Sequence, residues 1–250
     1  MIQFFRGPKK GYSLKDHGNG IYFATDTKEI IANGSAYTGP VEEKQELGWV
    51  EVAGSIEEAF TTGGMATLTE NKEISEALTV KAGVNAVLNL NGHYIVNSNT
   101  ESTKNFAIII EKGASLVIEG EGIIHGGQGA DNLALMVYGN CTIKSGTFMV
   151  GADSKGQGNS CVYVKDGDLK VLGGTFSTDM PYNGKYFVLN KKDGSDSNIE
   201  VLGGTFINYD PSNSTTEDPP QNFVASGYES VRIKGTDNYQ VIRINYLIIL

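Results

Sequence analysis

The sequence predicts an all-β protein built as a parallel β-helix of about six rungs, and the first reason is an internal repeat. The hexapeptide Val-Leu-Gly-Gly-Thr-Phe occurs at Val171–Phe176 and again, unchanged, at Val201–Phe206. Related segments begin at Ile118, Ile143 and Ile233, so the motif returns every 25 to 32 residues. A period of 20–50 residues is typical of solenoids, in which each repeat stacks on the next.

The second reason is that each repeat contains three short apolar runs separated by turns with glycine. The first runs are Ala77–Val80, Ala107–Ile110, Ala134–Val137, Cys161–Val164, Phe187–Leu189 and Phe223–Ala225. The second runs are Val87–Leu90, Leu116–Ile118, Cys141–Ile143, Leu169–Val171, Ile199–Val201 and Val231–Ile233. The third runs are Tyr94–Val96, Ile123–Ile124, Phe148–Val150, Phe176–Ser177, Phe206–Ile207 and Val241–Ile244. Three strands per turn, stacked at the spacing of adjacent parallel strands, form a β-helix.

The third reason is the kind of repetition, which argues against an antiparallel sandwich. A sandwich predicts tight two-residue hairpins between neighbouring strands. Here the strongest signal is instead the return of the same residue type at the same place one turn later. Each rung alone would be unstable, and stacking buries a continuous apolar interior.

The first 48 residues differ from the repeats, so we divide the chain into an N-terminal domain, 1–48, and a β-helix domain, 49–250. The N-terminal segment contains short strand patterns such as Ile21–Thr25, and its tip is basic because Arg6, Lys9, Lys10 and Lys15 precede the first acid, Asp16. It is too small to bury much core alone, so we expect it to pack on a partner chain or on a larger surface. The alternative is a decorated hairpin of one globular domain.

A short helix is expected between the two domains. Ser55 and Glu58 form a capping box, Ile56, Ala59 and Phe60 follow at helical spacing, and two glycines end the pattern. We expect this helix to cap the first rung, where open strand edges would otherwise meet water.

Composition excludes several classes of partner. The net charge of −9 over 250 residues disfavours binding to nucleic acid or to an anionic membrane. The two cysteines, Cys141 and Cys161, lie in apolar runs and read as core thiols, and no residue spacing indicates a metal site or cofactor. The N-terminus lacks the apolar run of a signal peptide, so we expect a soluble protein made in a cytoplasm.

The longest polar loops fall at one corner of the predicted β-helix, between the third strand of one repeat and the next repeat. Stacking would align them as a loop ladder, which is where repeat proteins commonly bind. The candidate glycan-binding residues in this ladder are two tyrosines that could stack on sugar rings and three carboxylates that could accept hydroxyl hydrogen bonds, namely Tyr182, Tyr209, Asp153, Asp179 and Asp210. The alternative is that they are solvated loop tips.

No catalytic residue is assigned from the sequence. A glycosidase needs two carboxylates flanking the bond, and Asp179 and Asp210 occupy near-equivalent positions in adjacent repeats, but no third group supports them. His93 and His125 read as ordinary turn histidines, and Arg232 alternates with apolar residues on an outward face.

Part of the N-terminal segment resembles the start of bacteriophage fibre and other virion-appendage proteins. The segments Phe4–Gly7, Gly18–Ile30 and Asn33–Gly34 carry this resemblance. It departs from the usual pattern at Ile30–Asn33, where an aromatic residue before glycine is common. The resemblance implies that this end attaches the protein to a particle, with Phe4, Phe5, Arg6, Lys9, Lys10, Tyr22 and Phe23 as the attachment residues.

The repeats resemble the right-handed parallel β-helices of the pectate-lyase-like superfamily. Leu68–Lys72, Leu78–Gly83 and Leu88–Ile95 resemble its opening rungs, and the Gly-Gly-Thr-Phe units resemble its later ones. This superfamily contains lyases, glycosidases, adhesins and phage tailspikes, so the resemblance indicates the fold better than the function.

Together these observations lead to a functional hypothesis of a non-enzymatic structural protein of a phage virion, a head or tail fibre or decoration. It would be made in the host cytoplasm, contact other virion proteins, form a homotrimer and bind host-surface polysaccharide. The apolar tail Tyr239–Leu250 would be buried, either over the last rung or at a subunit interface through Tyr246, Leu247, Ile248, Ile249 and Leu250. The alternative is a polysaccharide-degrading, tailspike-like glycosidase or lyase; a bacterial adhesin is a third reading, which the missing export signal disfavours.

Overall fold

A computed structural model describes the backbone of four short N-terminal strands and then residues 52–99, 105–151 and 159–244. The chain divides into two compact units, Met1–Glu51 and Val52–Leu250. Several predicted site residues lie outside the described part, namely Phe4, Phe5, Arg6, Lys9, Lys10, Asp153, Tyr246, Leu247, Ile248, Ile249 and Leu250. Tyr22 and Phe23 lie on a described strand, but their side chains are not described.

The first unit contains a small mixed sheet. Strand β1 (Ser13–Asp16) pairs antiparallel with β2 (Tyr22–Thr25) and parallel with β3 (Ile31–Ala32), which pairs antiparallel with β4 (Ser35–Ala36). The attachment role of this unit stays a prediction.

The second unit begins with helix α1 (Ile56–Thr62). Ser55 is its N-cap, and the Ser55 hydroxyl accepts a hydrogen bond from the Glu58 N–H at 3.1 Å. Ile56, Ala59 and Phe60 are buried, which follows from their helical spacing on one face. The helix packs against three strands of the first turns of the solenoid, Gly64–Thr67, Leu78–Val80 and Asn85–Asn89. Its capping role stays a prediction.

Three sheets run along the second unit, and their strands are parallel except at one end. Sheet I contains β5 (Gly64–Thr67), β8 (Asn85–Asn89), β11 (Ser115–Glu119), β14 (Asn140–Ile143), β17 (Asp168–Val171) and β20 (Asn198–Val201). Sheet II contains β6 (Lys72–Ile74), β9 (Tyr94–Asn97), β12 (Ile123–His125), β15 (Thr147–Val150), β18 (Thr175–Thr178), β21 (Gly204–Phe206), β23 (Tyr239–Arg243) and β22 (Tyr228–Arg232). Sheet III contains β7 (Leu78–Val80), β10 (Phe106–Ile110), β13 (Leu133–Val137), β16 (Ser160–Val164) and β19 (Leu189–Lys191).

The chain visits sheets III, I and II in turn, so each strand pairs with the strands one turn before and after it. Val117, for example, pairs with Val87 on one side and Thr142 on the other. Five such triplets stack from β7 to β21. From the first triplet to the last, the chain makes about four turns of a parallel β-solenoid. The predicted parallel β-helix is therefore confirmed at this level. No helix in the described part of the chain is long and apolar enough to cross a membrane.

The predicted sixth rung is wrong. Of Phe223–Ala225, only Val224 forms a β-bridge, and its partner Val201 belongs to sheet I. The two later runs form strands β22 and β23, which pair antiparallel as a hairpin, and β23 then pairs antiparallel with β21. The repeat-like sequence of this region thus reverses direction and ends the stack.

The aromatic repeat residues form a column inside the solenoid. The rings of Phe148, Phe176 and Phe206 are fully buried and stack at centroid distances of 5.1 and 5.2 Å. The glycine before them is required, because Gly174 has a φ of +103° and a β-carbon there would lie 2.8 Å from the Gly146 carbonyl oxygen. The motif Gly-Gly-Thr-Phe therefore encodes a tight turn followed by a core ring.

The C-terminal end of the solenoid is closed by side chains that do not repeat. At β19, the Lys191 N–H donates to the Glu217 carboxylate at 3.1 Å, and the Leu189 carbonyl lies 3.0 Å from the Tyr209 hydroxyl. At β20, the Val201 N–H donates to the Phe223 carbonyl at 2.8 Å. Together with the hairpin on β21, these contacts satisfy backbone groups of the last strand in each of the three sheets.

Candidate functional site

The loop-ladder residues of the described region differ in exposure and contacts. Asp179 is exposed after β18. Tyr182 is half-buried in a turn that pairs with Lys185, and its ring tilts against Phe187 at 6.2 Å. These two residues remain available at the surface.

Tyr209 and Asp210 have structural roles instead. Tyr209 is 5% exposed, its ring packs against Phe206, and its hydroxyl lies 2.9 Å from the Ser214 hydroxyl. Burial raises the pKa of the Tyr209 phenol. Asp210 accepts hydrogen bonds from the backbone and hydroxyl of Ser212 at 2.9 and 2.8 Å, so it closes a turn. Tyr209 therefore offers no ring face to a sugar, and Asp210 is already engaged.

The two histidines named from the sequence are each held locally. The Nδ1 atom of His125 accepts a hydrogen bond from the Gly127 N–H at 2.9 Å, and Nδ1 of His93 lies 3.3 Å from the Asn71 amide oxygen. Burial lowers the pKa of His125, and the negative charge of Asp179 partly opposes this effect. Within the described residues no group of His, Cys, Asp and Glu could hold a metal ion.

A surface groove that the sequence reasoning missed lies on the outer face of sheet III. It has a volume of about 590 Å³ and crosses β10, β13, β16 and β19. We call it the sheet III groove, and it is lined by Phe106, Asp131, Leu133, Met136, Tyr138, Ser160, Tyr163, Lys165 and Asn190.

The strand register explains why these side chains meet. Met136 pairs with Tyr163, and Tyr163 pairs with Asn190, so the three form one row across adjacent strands. The following residues, Val137 and Val164, are fully buried in the core, which leaves the row on the opposite face of the sheet. Phe106, Leu133 and Ser160 form a second row across the same strands, and all three also line the groove.

The floor of the groove is apolar and its walls are polar. Leu133 and Met136 are 4% and 7% exposed, although they lie outside the hydrophobic core. Lys165 places its ammonium 5.3 Å from the centre of the Tyr138 ring. The Asn190 amide donates to the Ser160 hydroxyl at 3.3 Å.

The pKa values of Tyr163, which lines the groove, and of Glu217 are both raised. The pKa of Tyr163 is raised first by burial and then by the carboxylates of Asp193, Glu217 and Asp166. Glu217 is 2% exposed, and burial also raises the pKa of its carboxyl group. These carboxylates therefore oppose the ionisation of the Tyr163 phenol.

A smaller groove lies over the Gly-Gly-Thr-Phe turns. Its volume is about 310 Å³, and its walls include Thr147, Thr175 and Thr205 with the neighbouring glycines. None of the residues that line it is aromatic. It therefore has no surface on which a ring could stack.

The sheet III groove combines aromatic rings with polar side chains. Rings such as Phe106, Tyr138 and Tyr163 can stack on the apolar faces of sugars, and nearby carboxylate, hydroxyl and amide groups can bind sugar hydroxyls. The signal in the sequence was the outward row Met136, Tyr163 and Asn190, spaced by 27 residues. It was hidden because the same strands also carry the apolar core pattern.

Comparisons with protein-family models, with curated proteins and with solved structures found no match to this chain.

Proposed function

We propose that this chain is a structural protein of a phage virion whose solenoid binds a glycan on the host surface. The sheet III groove carries the binding part of the proposal. It combines three aromatic rings with Asp131, Ser160, Asn190 and Lys165 on a rigid parallel sheet. Side chains on a regular sheet hold a binding geometry better than side chains on loops.

The virion part of the proposal is supported by the sequence resemblance at Phe4–Gly7 and Gly18–Asp26. In this proposal the N-terminal segment attaches to other virion proteins of the head or tail, and the solenoid projects outward as a fibre or decoration. A right-handed coil is the expected sense, because crossovers between parallel strands are almost always right-handed. The assembly that we propose is a homotrimer with the tail Tyr246–Leu250 at a subunit contact.

The proposal is tested in purified particles. We expect the full chain to be present at a fixed copy number, and a chain that lacks residues 1–48 to fold but to be missing from particles. Circular dichroism of the truncated chain provides the folding control. Incorporation of the truncated chain at the wild-type level would contradict the attachment role.

A glycosidase or lyase is the second candidate function, and one observation favours it. Glu217 does not line the sheet III groove, but it is a buried carboxyl group with a raised pKa whose charge acts on Tyr163 of that groove, and a glycosidase needs an acid of this kind. If the full chain shortens a bound glycan and Glu217→Gln abolishes the cleavage but keeps binding, the enzymatic reading replaces the structural one.

A further inference from the structure

We infer that the sheet III groove selects uncharged, hydroxyl-rich glycans and rejects acidic ones such as polyuronates. This inference rests on the proposed glycan-binding function and adds the class of ligand. Three features of the groove carry it, namely its extent, its hydrogen-bonding groups and the placement of its charges.

The extent of the groove fits an extended segment of a polymer. Its lining residues come from four neighbouring strands, β10 to β19. At the spacing of parallel strands, this distance is about 14 Å across the sheet. Rings line the groove at more than one strand, with Phe106 on the first strand and Tyr163 on the third.

The hydrogen-bonding groups favour a ligand that donates. Asp131 lines the groove, and an ionised carboxylate can only accept hydrogen bonds. A sugar hydroxyl can donate to it, whereas a ligand carboxylate cannot. The hydroxyl of Ser160 and the amide of Asn190 can both donate and accept, so they suit hydroxyl groups as well.

The charges make the groove unfavourable for an anion. The Lys165 ammonium already lies over the Tyr138 ring. Lys165 is followed directly by the exposed Asp166, and the exposed Lys192 is followed by the exposed Asp193. The carboxylates of Asp193, Glu217 and Asp166 all raise the pKa of the Tyr163 phenol. An anionic sugar stacked on Tyr163 would therefore meet like charge.

The experiment is affinity electrophoresis of the full chain in native gels that contain one polysaccharide at a time. The neutral probes are dextran, galactomannan and xyloglucan, and the acidic probes are polygalacturonate and alginate. We expect at least one neutral probe to retard the protein and neither acidic probe to do so. Tyr163→Ala should weaken the retardation about tenfold or more in apparent affinity, because a ring that lines the groove is lost. Tyr182→Ala, which removes a surface tyrosine of the loop ladder, is the matched control and should leave the affinity unchanged.

A charge variant tests the selectivity itself. The double substitution Asp166→Asn and Asp193→Asn should permit or strengthen binding of polygalacturonate, while binding of the neutral probe stays within about twofold. Thermal unfolding of each variant confirms that it is folded.

The outcomes separate the two proposals. If the wild-type protein binds none of the probes, glycan binding itself is contradicted. If it binds acidic probes more tightly than neutral ones, the proposed function stands and the inference on ligand class is overturned. If Tyr182→Ala abolishes binding and Tyr163→Ala does not, the site lies in the loop ladder and the inference is also overturned.

Discussion

The middle of the solenoid and its C-terminal end satisfy the backbone groups of their strands in different ways. In the middle, each strand pairs with strands of similar sequence one turn before and one turn after it. Phe176 therefore stacks between Phe148 and Phe206, and the paired strands satisfy one another's backbone groups. At the end, Glu217, Tyr209 and the hairpin β22–β23 satisfy the last strands with side chains and antiparallel pairing that occur once. Repetition extends a solenoid, but only a unique segment can stop it.

The largest effect is expected in the middle. Phe176→Ala should lower the free energy of unfolding by about 3–5 kcal/mol, because it removes a fully buried ring from the centre of the stack. Denaturant unfolding measures the change. Ser177→Ala, one residue further on a half-exposed position, is the control and should change stability by less than about 0.5 kcal/mol. A small loss in Phe176→Ala would mean that the stack does not hold the rungs together.

A smaller effect is expected at the C-terminal end. Tyr209→Phe keeps the buried ring and removes the hydroxyl near the Leu189 carbonyl and the Ser214 hydroxyl. We expect a loss of about 1–3 kcal/mol, since buried polar groups lose a partner. Tyr182→Phe, at a half-buried surface turn, provides the comparison and should be nearly neutral. Equal stability of the two variants would show that the edge of β19 does not depend on this contact.

The middle of the solenoid could be predicted from the sequence, and its end could not, for one physical reason. The five triplets repeat because each must match its neighbour, so position-specific recurrence reveals them. The residues at Val231–Ile233 and Val241–Ile244 keep the apolar alternation of the repeats. This alternation is the same in parallel and antiparallel strands, so it does not predict the strand direction. The direction is set by the turn between β22 and β23, where the Ile233 N–H donates to the Asn238 carbonyl at 2.8 Å.

The candidate site was also only partly predictable from the sequence. Tyr209 and Asp210 were predicted to bind a ligand because they are polar and lie in a predicted loop. Polarity and loop position do not distinguish a solvent-exposed loop residue from one that packs over the end of the solenoid. The sheet III groove escaped notice because an outward Met136 or Leu133 looks like a core residue in a sequence. A column of buried asparagines also escaped notice, although Asn105, Asn132 and Asn159 are spaced by 27 residues and hydrogen-bond from rung to rung at 3.1 and 2.8 Å.

The N-terminal end of the solenoid offers a third point of comparison. Ser55→Ala removes the hydroxyl that accepts the Glu58 N–H, and we expect a loss of about 1 kcal/mol in thermal or denaturant unfolding. Ser55→Asp should restore most of it, because aspartate is an equally good N-cap. If both variants lose equally, the capping hydrogen bond does not contribute to stability.

The smallest effect is a pH dependence at the C-terminal end. The pKa of Glu217 is raised by burial, so the folded state holds its proton more tightly than the unfolded state. Its contribution to stability is therefore largest below the ordinary pKa of 4.5 and falls as the pH rises through the raised value. Glu217→Gln keeps an oxygen for the Lys191 N–H and removes the titration, so stability measured from pH 4 to pH 8 should fall less steeply in this variant. An unchanged pH profile would contradict the assignment.

Hydroxyl-radical footprinting of the full chain, with and without a neutral polysaccharide that retards it, tests the central claim most directly. The account predicts that bound glycan protects the side chains of Tyr138 and Tyr163 in the sheet III groove, while oxidation of Tyr182 stays unchanged. Protection of Tyr182 without protection of Tyr138 and Tyr163 would contradict it and would place binding in the loop ladder.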